Sequence, residues 1–197
     1  MKRILEVLFV CLIILPVSLF IAFLCLLILC VDHHWPFYSK IRQGKHDTGF
    51  RCYKLRSMRR SDNPADIENP ERDKERVTKL GAFLRDHGWD ELPQLFNILL
   101  GQMSFFGPRP ISNKTIDRIQ REASIISSDW RERRLAIKPG VTGWYQIQAN
   151  NQTDKRINCE LEQLEASPKT NLRILKATTL IFFLGKKRYK QKTAEIS

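Results

Sequence analysis

Twenty-five consecutive residues, Val7 to Val31, carry no charge and are dominated by Leu, Ile, Val and Phe. As a helix rising about 1.5 Å per residue the run measures roughly 37 Å, more than the ~30 Å hydrocarbon thickness of a bilayer. A secretory leader has a shorter apolar region, about 7–15 residues, closed by small residues. Here Asp32-His33-His34-Trp35 follows, so the segment reads as a retained membrane anchor. The full length of 197 residues suits one further domain with a core of its own.

Positive charge lies on both sides of the run. Lys2 and Arg3 precede it, Lys40, Arg42 and Lys45 follow, and basic flanks favour the cytoplasmic side of a membrane. A straight span satisfies one flank only, whereas a re-entrant hairpin satisfies both. Pro16 lies well inside the run, where it removes a backbone donor and crowds the preceding turn, and the Ser18 hydroxyl is placed to bond a freed carbonyl. On these residues alone, a break at Pro16 and an ordinary span that tolerates a proline both stand. The formal net charge is +12, and setting aside Lys2, Arg3 and Glu6 leaves +11 on residues 32–197. Such a surface suits nucleic acid or an anionic leaflet. With a membrane segment attached, and with no aromatics interleaved among the cations to stack on bases, the partner read here is membrane lipid and not nucleic acid.

The cysteines, Cys11, Cys25, Cys30, Cys52 and Cys159, are odd in number and three of them sit in the apolar run. Without Cys-x-x-Cys spacing they form neither a disulfide framework nor a zinc site, and they read as reduced small hydrophobes. His33-His34 beside Trp35 reads as interfacial rather than metal-binding. Beyond the anchor, Phe50 to Met58 alternates apolar and basic residues like a strand. Ser61 to Lys79 is charged, contains Pro64 and Pro70, and reads as solvated surface rather than a lid. Helices are expected at Leu80–Leu84, from about Asp90 to Leu100 with Leu92, Leu95, Phe96 and Leu99 inward and Gly101 as the stop, at Ile116–Leu135, and at Cys159–Ala166. Lys138 to Trp144 reads as a turn and a short strand. Leu172–Leu184 is a helix whose apolar face serves either as core or, with Arg173, Lys176 and Lys186-Lys187-Arg188 nearby, as an interfacial face on anionic lipid.

The chemistry concentrates at Asp90 and Glu91, two adjacent carboxylates where a helix begins, with Pro93 tolerated in its first turn. An aspartate there is commonly a cap. A helix N-terminus also favours anions, which suits a phosphate ligand and keeps a carboxylate ionised. One acid can attack phosphorus, and the other can hold Mg²⁺, which takes one or two carboxylates plus substrate oxygens. Lys54, Arg56, Arg85 and Arg109 supply the counter-charge for a diphosphate and a second phosphate. Arg109 is fixed between Pro108 and Pro110, which restricts the backbone that presents its guanidinium.

Taken in order, Lys2-Arg3, Tyr53-Lys54-Leu55-Arg56-Ser57-Met58, Arg85, Asp90-Glu91-Leu92-Pro93-Gln94-Leu95, Met103 to Pro110 and Pro139-Gly140-Val141-Thr142-Gly143-Trp144 resemble the small monotopic phosphoglycosyl transferases of the bacterial sugar transferase family, over nearly the whole chain. The resemblance implies transfer of a sugar 1-phosphate from a UDP-sugar to undecaprenyl phosphate, initiating a surface glycan, with Mg²⁺ as cofactor and later glycosyltransferases downstream. It implies Asp90 as nucleophile, forming a phosphosugar-aspartyl intermediate and releasing UMP. Glu91 is similar to the family's Mg²⁺ carboxylate and Arg85 to the arginine that receives the polyprenyl phosphate. Lys54, Arg56 and Arg109 correspond to residues lining the substrate site.

The fold implied is α/β and mostly helical: a re-entrant membrane helix over residues 1–35 and a catalytic domain over 36–197, with amphipathic interfacial helices at the cytoplasmic face of the bacterial inner membrane. Some positions depart from the family pattern. The helix break is Leu15-Pro16 without a preceding serine, Leu5-Glu6 replaces Phe-Asp, Gln102 replaces the Asp of Gly-Asp-Met-Ser, and Gln148-Ala149-Asn150-Asn151 stands where Asn-Gly-Arg-Asn is usual. The last change raises a different sugar, or an inactive scaffold of a glycan assembly pathway, as alternatives. The sequence does not name the sugar.

Overall fold

The apolar run forms one helix, α1 (Lys2–Asp32), whose helical pattern continues through Pro16. The computed structural model describes residues 2–61, 70–122, 129–148 and 153–194. After α1 come strands β1 (Phe37–Gln43) and β2 (Gly49–Leu55), which pair as a two-stranded sheet, then helices α2 (Pro70–Arg76), α3 (Lys79–His87) and α4 (Gln94–Leu99). Next are β3 (Ser104–Phe106), α5 (Asn113–Glu122), α6 (Trp130–Leu135) and β4 (Gly140–Thr142), followed by α7 (Trp144–Gln148), α8 (Thr153–Leu164), α9 (Pro168–Leu184) and α10 (Lys186–Ala194). The chain is therefore mostly helical with short strands. By length and composition Glu6–Asp32, 27 residues, is able to cross a membrane.

Two compact units emerge. One comprises Ile13–Tyr38, Tyr53–Pro93 and Leu180–Ser197. Its core joins Ile21, Leu24 and Ile28 of α1 to Leu55 of β2 and Leu84 of α3. The spacing of the three α1 residues puts them on one helix face, while Leu19, Phe23, Leu26 and Leu29 of the same helix stay exposed. Fully burying side chains of this size contributes about 1.5–3 kcal/mol each, so α1 is a structural part of this unit and not only an appendage. Thr78 joins the end of α1 to the start of α3. Its hydroxyl donates to Asp32 Oδ2 at 2.7 Å and accepts from Gly81 N at 2.8 Å, capping the helix.

Gly81 sits against the chain leaving β2, and a Cβ there would fall 2.0 Å from the Ser57 carbonyl oxygen and 2.7 Å from Ser57 Cα. The obstacle is backbone, which cannot swing aside. Gly81→Ala is expected to destabilise by about 3 kcal/mol, as overpacking does, seen as a lowered midpoint in chemical denaturation of the detergent-solubilised chain. An unchanged midpoint would contradict this close approach.

The other unit comprises Met1–Leu12, Ser39–Cys52 and Gln94–Thr179. Its core gathers Ile111, Ile116, Ile119, Trp130 and Ile157, with Leu135 and Leu161 against them. β3 and β4 pair in parallel, Ser104 opposite Gly140 and Phe106 opposite Thr142. The approach needs glycine at 140, since a Cβ there would lie 2.1 Å from Gly107 N.

Some helices differ from the sequence expectation. Leu80–Leu84 lies within the longer α3, and the helix expected at Cys159–Ala166 is α8, which starts earlier, at Thr153, and ends at Leu164. Instead of one helix over Asp90–Leu100, a 3₁₀ turn at Trp89–Glu91 precedes a short α4. Gln94, Leu95, Asn97 and Ile98 are buried, while Phe96, expected inward, is exposed. The reason is polar pairing: Asn97 Nδ2 donates to Arg51 O at 2.7 Å and to Gln102 Oε1 at 2.6 Å. Gln102, one of the departures, thus supplies an acceptor oxygen as an aspartate would. Glu6, another, accepts from the Ser104 hydroxyl and, at 3.4 Å, from Phe105 N. Over Ile116–Leu135 lie the later part of α5, which begins at Asn113 and ends at Glu122, and α6 from Trp130, with 123–128 outside the described residues. Of the Ser61–Lys79 segment, 62–69 lie outside them, and α2 is the charged helix that follows. α9 serves one of its two expected uses directly: Ile174, Ala177 and Ile181 are buried as core, while Leu172, Leu175, Leu180 and Phe183 remain exposed.

Candidate active site

Lys54, Arg56, Arg85, Asp90 and Glu91 fall in the unit that contains most of α1. All five adjoin, in the chain, a residue packed into the α1 core, Arg56 by following Leu55. Lys54 precedes Leu55, Arg85 follows Leu84, and Asp90-Glu91 lie between Trp89 and Leu92. Apolar burial thus fixes the backbone at each charged position.

Gly88 ends α3 with φ +72°, its N–H donating to Arg85 O at 3.3 Å, and turns the chain into the 3₁₀ segment that carries the acids. Trp89 anchors that segment. Its Nε1 donates to Phe182 O at 3.0 Å, and its ring meets Phe20 and Phe83 edge-on at 4.9 and 5.3 Å. Such ring pairs add about 0.5–1.5 kcal/mol each beyond area burial. Asp90 is only 7% exposed. It lies inside the turn and is not the residue that caps it. At three residues per turn the two carboxylates leave about 120° apart, so they serve separate partners.

Glu91 Oε1 accepts from Lys54 Nζ at 2.6 Å, the two side chains 14% and 21% exposed. Arg85 Nε donates to Ser57 Oγ at 2.7 Å. That bond fixes the plane of the guanidinium, and among the described residues its terminal nitrogens bond nothing else. Arg56 Nη2 reaches Phe37 O at 3.4 Å, and its Nε is shielded from solvent without an acceptor among the described residues. The unit therefore gathers two carboxylates and three cations.

Arg109 belongs to the other unit. Its carbonyl accepts from Arg134 Nη2, and Arg134 Nη1 donates to Glu160 Oε2 at 2.5 Å, with side chains 3% and 1% exposed. Arg134 also stacks over Trp130 at 5.8 Å. Sequence reading passed over Arg134, because in Arg131-Glu132-Arg133-Arg134 it looks like one more solvated charge. It missed Ser57 as well, a short polar residue inside a quoted motif whose bond to Arg85 has no local signal. Gln148 ends α7 and its Oε1 accepts from Cys159 Sγ at 3.2 Å. Ala149, Asn150 and Asn151 lie outside the described residues.

No group of three or more metal-ligating side chains exists among the described residues. A self-contained cage of the calcium type is not built there. Two adjacent carboxylates fit Mg²⁺ differently, as a hard cation held by one or two carboxylates and completed by substrate phosphate oxygens.

A family model described as bacterial sugar transferase matches residues 1–185. The chain is 32% identical over 177 residues to a UDP-glucose:undecaprenyl-phosphate glucose-1-phosphate transferase of Escherichia coli, covering 84% of this chain and 37% of that one. It is 35% identical over 132 residues to an undecaprenyl-phosphate galactose phosphotransferase of Salmonella typhimurium, 59% of this chain and 26% of the relative. It is 36% identical over 122 residues to a UDP-N-acetylgalactosamine-undecaprenyl-phosphate N-acetylgalactosaminephosphotransferase of Aeromonas hydrophila, 60% of this chain and 28% of the relative. The chain spans 22% to 52% of the length of the relatives it matches.

Proposed function

The chain belongs to the bacterial sugar transferase family, and on that premise we propose that it transfers a sugar 1-phosphate from a UDP-sugar to undecaprenyl phosphate, at the cytoplasmic face of the bacterial inner membrane. The observation that carries this reading is the placement of Lys54, Arg85, Asp90 and Glu91 beside residues packed on the apolar helix. On this reading phosphate chemistry sits beside the helix that enters the membrane.

In the proposed reaction an Asp90 carboxylate oxygen attacks the phosphorus that bears the sugar. The bond to the bridging oxygen breaks, UMP leaves with that electron pair, and the sugar phosphate is held on Asp90 as an acyl phosphate. A phosphate oxygen of undecaprenyl phosphate then attacks the same phosphorus, forming the diphosphate linkage and restoring the carboxylate. The sequence is ping-pong. Glu91, with Asp90, would hold Mg²⁺, which when bound neutralises charge on the diphosphate. Arg85, oriented by Ser57, receives the phosphate of the lipid acceptor, while Lys54 and Arg56 line the substrate site. The product, a lipid-linked diphosphate sugar, is a substrate for glycosyltransferases that extend a surface glycan.

Re-entry of α1 has its own support. Arg3 Nη2 donates to Leu99 O at 3.1 Å near one end of the helix, and Asp32 accepts from Thr78 at the other. Between Thr78 and Leu99 the chain includes Lys79, Arg85, Asp86, Asp90 and Glu91, too polar to cross a bilayer. On this reading the basic residues that flank the apolar run, Lys2-Arg3 before it and Lys40, Arg42 and Lys45 after it, share one compartment. The exposed face of α9 then lies on the leaflet.

The test is UMP release by the detergent-solubilised chain given Mg²⁺, undecaprenyl phosphate and, in turn, UDP-glucose, UDP-galactose and their N-acetylated amino counterparts. Release from one donor, dependent on the lipid acceptor beyond a single turnover, is the expected result. No release from any donor by folded protein favours the scaffold reading. Ser57→Ala removes one orienting bond to Arg85, about 1 kcal/mol, and is expected to raise the KM for undecaprenyl phosphate about fivefold with little change in kcat. An unchanged KM would separate Arg85 from the acceptor.

A further inference from the structure

Within the unit of Met1–Leu12, Ser39–Cys52 and Gln94–Thr179 lies a pocket of about 370 Å³ whose lining includes Arg3, Glu6, Lys45, Lys138 and Asn171. None of these residues belongs to the site described above. Three cations face one carboxylate, and that carboxylate is already engaged by Ser104 and the Phe105 amide. Arg3 Nη2 and Lys138 Nζ both come within 4 Å of where a side chain at Gly101 would begin, at 3.6 and 3.9 Å. Two like charges thus share one space.

Some polar atoms of the pocket find no partner among the described residues. Arg3 is pinned through Nη2 to Leu99 O, while its Nη1, shielded from solvent, has no hydrogen-bond acceptor among them and stands 4.0 Å from Glu6 Oε2. Asn171 Oδ1 is likewise shielded and has no donor among the described residues. Leaving such groups unmade is costly, and a ligand with both anionic oxygens and a hydroxyl would satisfy them together. The volume is in the range of small-ligand sites.

Position selects the ligand. Arg3 stands four residues before Val7, where the apolar run begins, so the pocket lies at headgroup level if α1 is in a membrane. We infer that this pocket binds the phosphate ester of an anionic phospholipid, with Arg3, Lys45 and Lys138 on the phosphate oxygens and Asn171 accepting from a headgroup hydroxyl. The inference rests on the membrane placement of α1 and not on the sugar transfer.

The test uses the full chain in micelles, titrated with phosphatidylglycerol or phosphatidylcholine and read by native mass spectrometry, for the wild type and for Lys45→Gln/Lys138→Gln. Each lysine near an anionic lipid is worth about fivefold in affinity, so the double variant should bind phosphatidylglycerol about thirtyfold more weakly. Phosphatidylcholine binding should not change. Equal phosphatidylglycerol binding by the two proteins overturns the proposal. In a second arm, amine acetylation of Lys45 and Lys138 is followed with phosphatidylglycerol or with inorganic pyrophosphate present. Protection by the lipid is expected, and protection by pyrophosphate alone would assign the pocket to a soluble phosphate and overturn the lipid source. Loss of UMP release leaves these readouts untouched, so failure of the two readings can be told apart.

Discussion

Asp90→Asn should lower turnover by about 10⁴-fold or more, the scale seen when a catalytic nucleophile is removed, without loss of folding. Asparagine fills the same volume in a position only 7% exposed, but its amide oxygen does not form the acyl phosphate. The decisive measurement is the intact mass of the protein after incubation with a UDP-sugar and no lipid acceptor. Wild type should gain one sugar phosphate, and Asp90→Asn should gain none. Glu91→Gln provides the contrast. It keeps the nucleophile, so the adduct should still form, slowly, and faster as Mg²⁺ is raised. An adduct on Asp90→Asn, or on another residue in wild type, would remove Asp90 from the role assigned to it.

The second large effect lies away from the acids. Arg134 and Glu160 are 3% and 1% exposed and bonded to each other, in a core of Ile111, Ile116, Ile119, Trp130 and Ile157. Glu160→Ala leaves a guanidinium without its counter-charge there, and breaking a buried pair from one side costs about 3–5 kcal/mol. Replacing both partners, Arg134→Met with Glu160→Leu, should restore most of that stability because no buried charge remains. The double variant lacks the donor to the Arg109 carbonyl as well, so it should unfold near, but not above, the wild-type midpoint. Chemical denaturation of wild type, the single variant and the double variant reads the effect. If the double variant is as unstable as Glu160→Ala, the pair is not the cause.

Cys159 offers a local probe of the same packing. Its thiol pKa is pushed up by burial first, and then by the negative charges of Glu162 and Glu160. Since the thiolate is the reactive form, alkylation of Cys159 near pH 8 should be slow in wild type. It should accelerate in Glu160→Ala, where α8 loosens and one raising charge is gone.

What sequence made legible was whatever a local pattern encodes. The charge-free run from Val7 gives α1, the alternation from Phe50 to Leu55 gives β2, and Gly101 closes α4 with its N–H on Ile98 O at 2.9 Å. The adjacency of Asp90 and Glu91 marks a candidate site without any knowledge of its surroundings. Long-range pairing was hidden. β3 and β4 are three residues each and exist because Ser104 and Phe106 meet Gly140 and Thr142, which no window of sequence contains. Gln94 and Asn97 break the apolar periodicity of α4, yet they are buried while Phe96 is not. Asn97 is tolerated because Arg51 O and Gln102 are in reach, whereas Gln94 Oε1 and Nε2 have no hydrogen-bond partner among the described residues. Arg134 shows the limit most plainly: its role is set by Glu160, 26 residues on.

The packing of Leu55, Leu84, Trp89 and Leu92 into the α1 cluster also decides how concentration should be counted. On the proposed reaction, with α1 in the bilayer, the site does not sample the lipid acceptor in three dimensions. It meets acceptors that diffuse in the plane of the leaflet, so their effective abundance is a mole fraction of the lipid and not a molarity of the solution. Diluting the acceptor with inert lipid at constant total acceptor should slow the reaction, while enlarging the aqueous volume should act only through the nucleotide sugar. One substrate arrives from a volume and the other along a surface.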